Sequence, residues 1–474
     1  MSGTSLPCLR RQQGQALPLA LIFLLVLCVG LVVTFNTGQV VNKKVEVTNA
    51  ADAAAYSVAA EQARAWNLAA YMNRGRVANE VAIAQAVSLN SWLTQINVSA
   101  VNIEKVVRFI PYVGQAIAAA LKAADQTLRT LRTGLRTGTD PYILALDSAN
   151  AVYAGAAYAA VKAAGGASAI QTAYTVAKDN SPKSDLRAAA VAILTKQLVD
   201  AEGDYLDEFN VPGGRNRRHA GGERYRNVVM ESRDKFTRAR KDDWLIVEAN
   251  GGTDLVDYDR WAAVDVFEVD MWFAEIPVGW AGAQALDQGQ PRFFPGINRG
   301  NGWRSQYEGR RYKPYNGVSR RGVAGKLVEN DPGGSMVGGK RAHAYFHTYK
   351  NGLAHRYHDV KSTHARTPAE DQKNTGPIFT VEVQNAIANA RTSSEIKMTA
   401  GRLNVPEQAR GDHIRAVATG QVYFNRPHEY SRFARKVWGR ADGKYEMGSL
   451  FSPYWQARLV DTPTIHRTAL AVAP

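Results

Sequence analysis

The sequence predicts an α+β fold: a single N-terminal transmembrane helix continues into an Ala-rich helical region, and an antiparallel β-rich C-terminal domain with long loops follows. An uncharged apolar run near the start predicts the membrane helix. Dense alanine predicts the helical region. Alternating apolar and polar residues with frequent Trp and Tyr predict the strands. The predicted boundaries are a cytoplasmic N-tail at 1–15, a transmembrane helix at 16–35, a helical domain at 36–209, a basic linker at 210–241 and a β-rich extracytoplasmic domain at 242–474.

The apolar run at residues 16–35 carries no charged side chain. A helix of about 20 residues crosses the roughly 30 Å hydrocarbon core of a bilayer, and in lipid a helix satisfies all its backbone groups within one segment. Two alternatives stay open. A secretory signal would be cleaved soon after a shorter apolar core, and a soluble protein could bury such a run as a core helix. We expect an uncleaved membrane anchor.

Basic residues flank the run on both sides. Arg10 and Arg11 precede it, and Lys43 and Lys44 follow it beside Glu46. The positive-inside rule, together with the short N-terminal tail, favours a cytoplasmic N-terminus. The sequence therefore predicts a single-pass protein whose C-terminal bulk is exported.

Composition limits the chemistry of the exported part. The chain has two cysteines, Cys8 and Cys28, and both lie in or before the apolar run. Disulfides, cysteine zinc sites and a catalytic cysteine are therefore excluded from residues 36–474. The formal net charge of +15 favours contact with polyanions. For an exported chain these are lipid headgroups, envelope polysaccharide and extracellular DNA, and charge alone indicates no specific nucleic-acid partner.

Glycine and proline predict the breaks in the helical region. Gly38, Pro111, the Gly-Thr-Asp-Pro run at 138–141 and the Gly165–Gly166 pair are the expected interruptions. The helices expected between them cover 38–110, 113–131, 142–177 and 184–206.

Small residues form a stripe along the first of these helices, which permits close approach of another element. One interpretation is a core-facing seam inside the monomer. The other is a packing face for further copies or for partner helices. The residues that we assign to partner packing are Asn49, Ala50, Ala51, Asp52 and Ala54. In the alternative, Asn49 only caps a helix.

The C-terminal half contains no nucleophile elbow, P-loop or Ser-x-x-Lys motif. Its carboxylates cluster between 254 and 270, and strand spacing predicts several of them, Asp265 included, on a solvated face. Its histidines could bind a metal in pairs, but surface or hydrogen-bonded roles explain them more simply: His343, His347, His355, His358 and His364. We therefore predict no enzyme activity, no metal and no cofactor.

A Gly/Arg-rich segment from 288 to 339 is too long for an ordinary connection. Arginine interleaved with aromatic residues suits stacking on sugars and pairing with anions. The candidate contacts for an anionic envelope polymer are Arg299, Trp303, Arg310, Arg311, Tyr312, Arg320 and Arg321. The alternative is an ordinary solvated loop.

Residues 49–55 read Asn-Ala-Ala-Asp-Ala-Ala-Ala, and they follow a basic N-tail and an apolar helix in that order. This combination resembles the N-terminal signature of the TadG-like (TadE/TadG) proteins of tight-adherence, or Flp, pilus assembly, over about the first 65 residues. The resemblance implies a single-pass protein of the bacterial inner membrane that helps to build or display a pilus. Its implied partners are membrane lipid and other pilus-assembly or pilin-like proteins. Many such proteins carry an Asp-x-Ser-x-Ser metal motif, which this sequence lacks.

The run Arg-Arg-Gln-Gln-Gly-Gln-Ala at residues 10–16 resembles a type IV prepilin leader. That resemblance implies cleavage between Gly14 and Gln15. Pilins usually carry Glu at the fifth mature position, where this chain has Leu19. Processing after Gly14 and an unprocessed anchor therefore both stay open.

Overall fold

The computed structural model of the protein describes residues 16–209, 220–257, 260–271, 274–286, 344–349, 356–361, 374–391, 413–425 and 448–472. These residues form seven α-helices: α1 (Ala16–Val107), α2 (Gly114–Ala164), α3 (Ala167–Asn180), α4 (Ala188–Gly203), α5 (Ala220–Glu231), α6 (Lys235–Arg238) and α7 (Thr464–Val472). They also form eleven strands: β1 (Asp185–Leu186), β2 (Leu206–Phe209), β3 (Arg240–Trp244), β4 (Val247–Asp257), β5 (Arg260–Met271), β6 (Ala274–Leu286), β7 (Ala344–Thr348), β8 (Tyr357–Val360), β9 (Asn374–Ala386), β10 (His413–Phe424) and β11 (Trp455–Val460). The predicted α+β class is confirmed.

The strands form three sheets. The first sheet has the antiparallel order β1-β9-β10-β11, and β2 pairs with β8 in a separate two-stranded sheet. The second large sheet has the order β3-β4-β5-β6-β7. Its β3 to β6 strands are antiparallel, whereas β6 and β7 run parallel. The predicted antiparallel pairing therefore holds except at that one edge.

Helix α1 is the longest described helix, and it packs against helices and against both large sheets. Its 92 residues correspond to a length of about 140 Å. The break that the sequence predicts at Gly38 is wrong, because α1 passes through this residue without interruption. One glycine inside a helix costs only about 1 kcal/mol relative to alanine, which the long apolar and Ala-rich flanks outweigh. The break at Pro111 is confirmed, since α1 ends at Val107 and α2 begins at Gly114.

Helix α2 runs back along α1 as the second arm of a helical hairpin. The turn predicted at 138–141 is wrong, because α2 continues through Pro141. Thr139 Oγ1 donates to the Leu135 carbonyl at 2.7 Å, and Asn90 Nδ2 of α1 donates to Thr139 Oγ1 at 2.9 Å. Packing against α1 therefore overrides the local turn signal. The break at Gly165–Gly166 is confirmed, because α3 begins at Ala167.

The helices and strands share two hydrophobic cores. In the first core, Val58 of α1 and Leu194 of α4 pack with Phe379 of β9. In the second, Ile83 of α1 and Ile143 of α2 pack with Trp261 of β5. Helix α1 therefore contributes to both cores, first through residues 47–69 and then through residues 77–87.

The segment at 210–241, predicted as a basic linker, contains α5, α6 and the start of β3 among its described residues. Tyr225 and Val229 of α5 are buried in the second core. The Asp234 side chain caps α6 by accepting from the Thr237 backbone N–H at 2.8 Å. These contacts attach the basic segment to the body.

Candidate membrane anchor and its junction with the body

The apolar start of α1, residues 16–35, projects from the body. None of residues 16–46 is buried, and Val47 is the first buried residue of the helix. Leu17 and Leu31 are representative, with 71% and 61% of their surface exposed. Among the described helices, α1 alone is long and apolar enough to cross a membrane by length and composition, and none of its apolar window is buried by the described part of the chain. Bare apolar surface of this size is what lipid covers.

Polar groups near the end of the apolar run are satisfied within the helix. Thr34 Oγ1 donates to the Gly30 carbonyl at 2.8 Å, and Thr37 Oγ1 donates to the Val33 carbonyl at 2.9 Å. Hydroxyl groups that bond one turn back in this way do not need water. The threonines are therefore compatible with an apolar surrounding.

Two lysines mark the junction between the projecting helix and the body. Lys43 Nζ lies 2.7 Å from Glu46 Oε1, and Lys44 Nζ donates to the Arg415 carbonyl of β10. Burial opposes ionisation of Glu46, but its hydrogen bonds from Lys43 and Ser181 outweigh this effect and lower its pKa. The junction therefore holds α1 against β10 through Lys44 and against the end of α3 through Glu46 and Ser181.

The residues assigned to partner packing divide into two groups. Ala50, Ala51 and Ala54 are fully buried in the first core of the same chain, so they form the intramolecular seam that was the alternative interpretation. Asn49 is exposed and Asp52 is partly buried. Burial raises the pKa of Asp52. Asn49 and Asp52 thus remain predicted partner contacts.

The seam requires small residues on both sides. A Cβ added to Gly420 of β10 would lie 2.2 Å from the Ala55 carbonyl oxygen and 2.9 Å from Ala59 Cβ. Such distances are far inside van der Waals contact, so only glycine lets this strand approach α1 so closely. The alanine stripe that the sequence shows is therefore matched by a glycine more than 300 residues later.

Further along α1, the fully buried carboxylate of Glu80 joins four parts of the chain. Its Oε1 accepts from Asn150 Nδ2 of α2 at 2.9 Å. Its Oε2 accepts from Trp261 Nε1 of β5 at 3.0 Å and from the Tyr349 hydroxyl, directly after β7, at 2.6 Å. Arg76, one turn before Glu80, donates to the Arg356 carbonyl at 3.3 Å. This centre was not predicted from the sequence, although a charged residue between the apolar positions 77 and 84 was its signal.

Burial dominates the ionisation of this centre. It raises the pKa of Glu80 to about 7, against the opposing hydrogen bonds from Tyr349 and Trp261. Burial likewise raises the pKa of Tyr225, whose ring lies 4.9 Å from the Arg76 guanidinium, and that of Tyr349. Glu80 therefore holds its proton in the folded protein under mildly acidic conditions.

This shift predicts a pH dependence of stability. Between pH 4.5 and about 7 the unfolded chain ionises at Glu80 while the folded chain keeps the proton, so stability falls as pH rises through this window. The contribution of Glu80 is expected to drop by about 3 kcal/mol. Urea unfolding of wild type and Glu80→Gln at pH 4.5, 6 and 7.5 measures it as the difference between the two proteins. A difference that stays constant with pH contradicts the expectation.

One predicted surface carboxylate is buried. Asp265 of β5 was expected on a solvated face, but it pairs with Arg240 of β3, with Nε to Oδ1 at 2.5 Å and Nη2 to Oδ2 at 3.0 Å. Arg240 Nη1 also lies 3.3 Å from Thr253 Oγ1 of β4. The solvated face was predicted with the wrong phase, because Asp265 lies on the same face of β5 as Trp261 and Ala263, which are buried in the second core.

Several predicted site residues lie outside the described residues. They are the processing pair Gly14 and Gln15, the anion-contact set Arg299, Trp303, Arg310, Arg311, Tyr312, Arg320 and Arg321, and the histidines His343, His355 and His364. His347 lies in β7, and His358 of β8 is buried and stacks on Tyr158 at 5.3 Å. Within the ranges that the structure describes, no three His, Cys, Asp or Glu side chains are grouped to hold a metal ion.

Comparison with known proteins locates one similarity. Residues 14–61 match the Tad family model, which is described as Flp pilus-assembly TadE/G-like. No curated protein and no solved structure matches the chain. The matched segment covers the projecting helix, the lysine junction and the alanine seam. The predicted resemblance is thus confirmed: the N-terminal region of this chain is similar to the TadE/G-like family of Flp pilus assembly.

Proposed function

We propose that this chain is a non-enzymatic structural or assembly component of a tight-adherence (Flp, type IVb-like) pilus. Residues 16–35 anchor it in the bacterial inner membrane, with the N-terminus in the cytoplasm and the bulk periplasmic or extracellular. The observation that carries the proposal is the bare apolar helix within the segment that matches the pilus-assembly family. A helix of this kind serves as an anchor and as a packing surface for partner helices in lipid.

The proposed partners are other pilus-assembly or pilin-like proteins, which contact the projecting part of α1. Its uncovered sides extend from the apolar run to Asn49 and Asp52. The buried alanines next to these residues fix the helix to the body, so partner contact and body position are coupled. The contact of an anionic envelope polymer with the segment from Arg299 to Arg321 remains a separate prediction.

Substitutions that introduce charge into the middle of the anchor test this proposal. Replacing Leu24 and Leu25 with arginine is expected to oppose insertion by about 5–7 kcal/mol in total. The double variant should leave the carbonate-resistant membrane fraction, and cells that carry it should lose their pili. Tyr71→Arg, an exposed position of α1 within the body, is the control and should retain both.

Two results would contradict the proposal. The first is that wild-type chain is recovered from the soluble fraction of the cells. The second is that cells without the gene assemble pili in normal number, counted by electron microscopy. Protease treatment of spheroplasts tests orientation, because an exported bulk is digested from outside while a cytoplasmic bulk is protected.

A further inference from the structure

Two apolar loops protrude from the end of the molecule that lies opposite the anchor. The first loop connects α1 to α2. Phe109 is 82% exposed, Tyr112 is fully exposed, and Ile110 and Val113 are about half exposed. These side chains have no partner surface among the described residues large enough to cover them. A protein that exposes aromatic and aliphatic side chains together in this way normally contacts another phase or molecule.

The second loop connects β3 to β4. Trp244 is 74% exposed, Leu245 is 89% exposed and Ile246 is 56% exposed. Leu245 has a φ of 53°, and Tyr112 in the first loop has a φ of 66°. Residues with side chains avoid this left-handed region at a cost of roughly 1–2 kcal/mol. At Leu245 the two-residue hairpin turn requires this φ, and in each loop the residue with positive φ also presents a large apolar side chain outward.

The sheet register brings both loops to the same end. The Val278 carbonyl of β6 accepts from Asn102 Nδ2 of α1 at 2.7 Å, whereas the Ala281 carbonyl faces Ser91. Strand β6 therefore runs antiparallel to α1, and its first residues lie level with the end of that helix. Ile276 pairs with Val269, Val269 pairs with Val247, and Val247 pairs with Trp244. The β3–β4 loop thus lies at the same end of the molecule as the α1–α2 loop, and this end, with both loops, is called the distal tip.

Charge is arranged around the first loop rather than within it. Residues 109–121 contain no charged side chain, and Arg108 and Lys122 bound this stretch. Arg108 pairs with Glu104 at 2.9 Å on the side towards the body. An apolar, aromatic segment bounded by basic residues is typical of protein that enters the interfacial region of a bilayer.

We propose that the distal tip inserts into the interfacial region of a lipid bilayer other than the one that holds the anchor. Val107 lies 72 residues beyond Phe35 in one uninterrupted helix, a distance of about 108 Å, so the tip cannot reach the membrane of its own anchor. The exposed apolar side chains of the tip belong to two separate loops, α1–α2 and β3–β4. A fluid bilayer covers such loops without a matching shape, whereas a protein partner would need a complementary groove for each.

A flotation experiment tests this inference on the full chain. The chain is placed in nanodiscs, which occupy the anchor, and is mixed with separate phosphatidylcholine vesicles. Wild-type nanodiscs should float with the vesicles. The double variants Phe109→Ser/Tyr112→Ser and Trp244→Ser/Leu245→Ser should each lower partitioning about tenfold, since each removes two large apolar side chains from lipid. Circular dichroism establishes that the variants are folded.

Leu68→Ser/Tyr71→Ser is the matched control, because both side chains are exposed on α1 within the body. It should float like wild type, and an equal loss in this control overturns the inference. Wild-type nanodiscs that fail to float with the vesicles also overturn the inference. Nanodiscs that associate in pairs without vesicles overturn it as well, because the tip would then bind a second copy of the chain. A chain that does not enter nanodiscs refutes the anchor alone, and flotation of that free chain still tests the tip.

Discussion

Replacement of Glu80 by alanine is expected to lower the free energy of unfolding by about 3–9 kcal/mol. The substitution removes the acceptor of three buried donors, on Asn150, Trp261 and Tyr349. Each donor would stay desolvated without its partner, at roughly 1–3 kcal/mol. It also leaves the buried Arg76 without the nearby carboxylate. Urea unfolding of the full chain in nanodiscs, followed by near-ultraviolet circular dichroism, measures the loss.

The control for this prediction is Glu104→Ala. Glu104 lies on the same helix and pairs with Arg108 at the surface, where an ion pair contributes about 0–1 kcal/mol. Equal unfolding midpoints for Glu80→Ala and Glu104→Ala would show that the buried centre does not hold α1, α2 and the second large sheet together.

Replacement of Gly420 by valine is expected to cost about 3 kcal/mol or more. The new Cβ would overlap the Ala55 carbonyl oxygen of α1, and neither the helix backbone nor the central strand β10 can move without opening the first core. The first core should loosen selectively. Hydrogen exchange is therefore expected to accelerate at α1 residues 47–69 and at β9 and β10 before it does in the second core.

Gly155→Ala serves as the matched control, because an added Cβ at this position of α2 meets nothing within 4 Å. Alanine is the better helix former, so this variant should gain about 0.5–1 kcal/mol. A Gly420→Val protein as stable as wild type would mean that the seam between α1 and β10 is wider than described.

Features of the fold that depend on neighbouring residues were easier to predict from the sequence than features that depend on distant contacts. The apolar run, Pro111 and Gly165–Gly166 act on their immediate neighbours: the run is helical as predicted, and the helix breaks predicted at Pro111 and Gly165–Gly166 are present. Gly38 and Pro141 are equally local signals, yet the helices pass through both. Helix α2 stays continuous at Pro141 because it packs against α1. The spacing of residues in the sequence contains no information about such contacts.

The site was predictable only in part for the same reason. The N-terminal motif identified the segment that resembles a pilus-assembly family. The small-residue stripe that includes Ala50 and Ala54 was visible in the sequence, but Gly420, which packs on the neighbouring Ala55 and Ala59, belongs to a distant strand. Glu80 obtains its donors from positions 70 to 269 residues away. Distances of that kind arise from topology, which composition and periodicity do not specify.

The uninterrupted course of α1 has a mechanical consequence. Each residue of an α-helix turns the chain by about 100° and advances it by 1.5 Å. One residue inserted between positions 36 and 46 would therefore rotate the body by about 100° about the helix axis relative to residues 16–35, while it would move the body along that axis by only about 1.5 Å. The number of residues between the apolar run and the body therefore sets the direction in which the body faces. Because α1 is continuous, a rotation of its first residues about the helix axis also rotates the body.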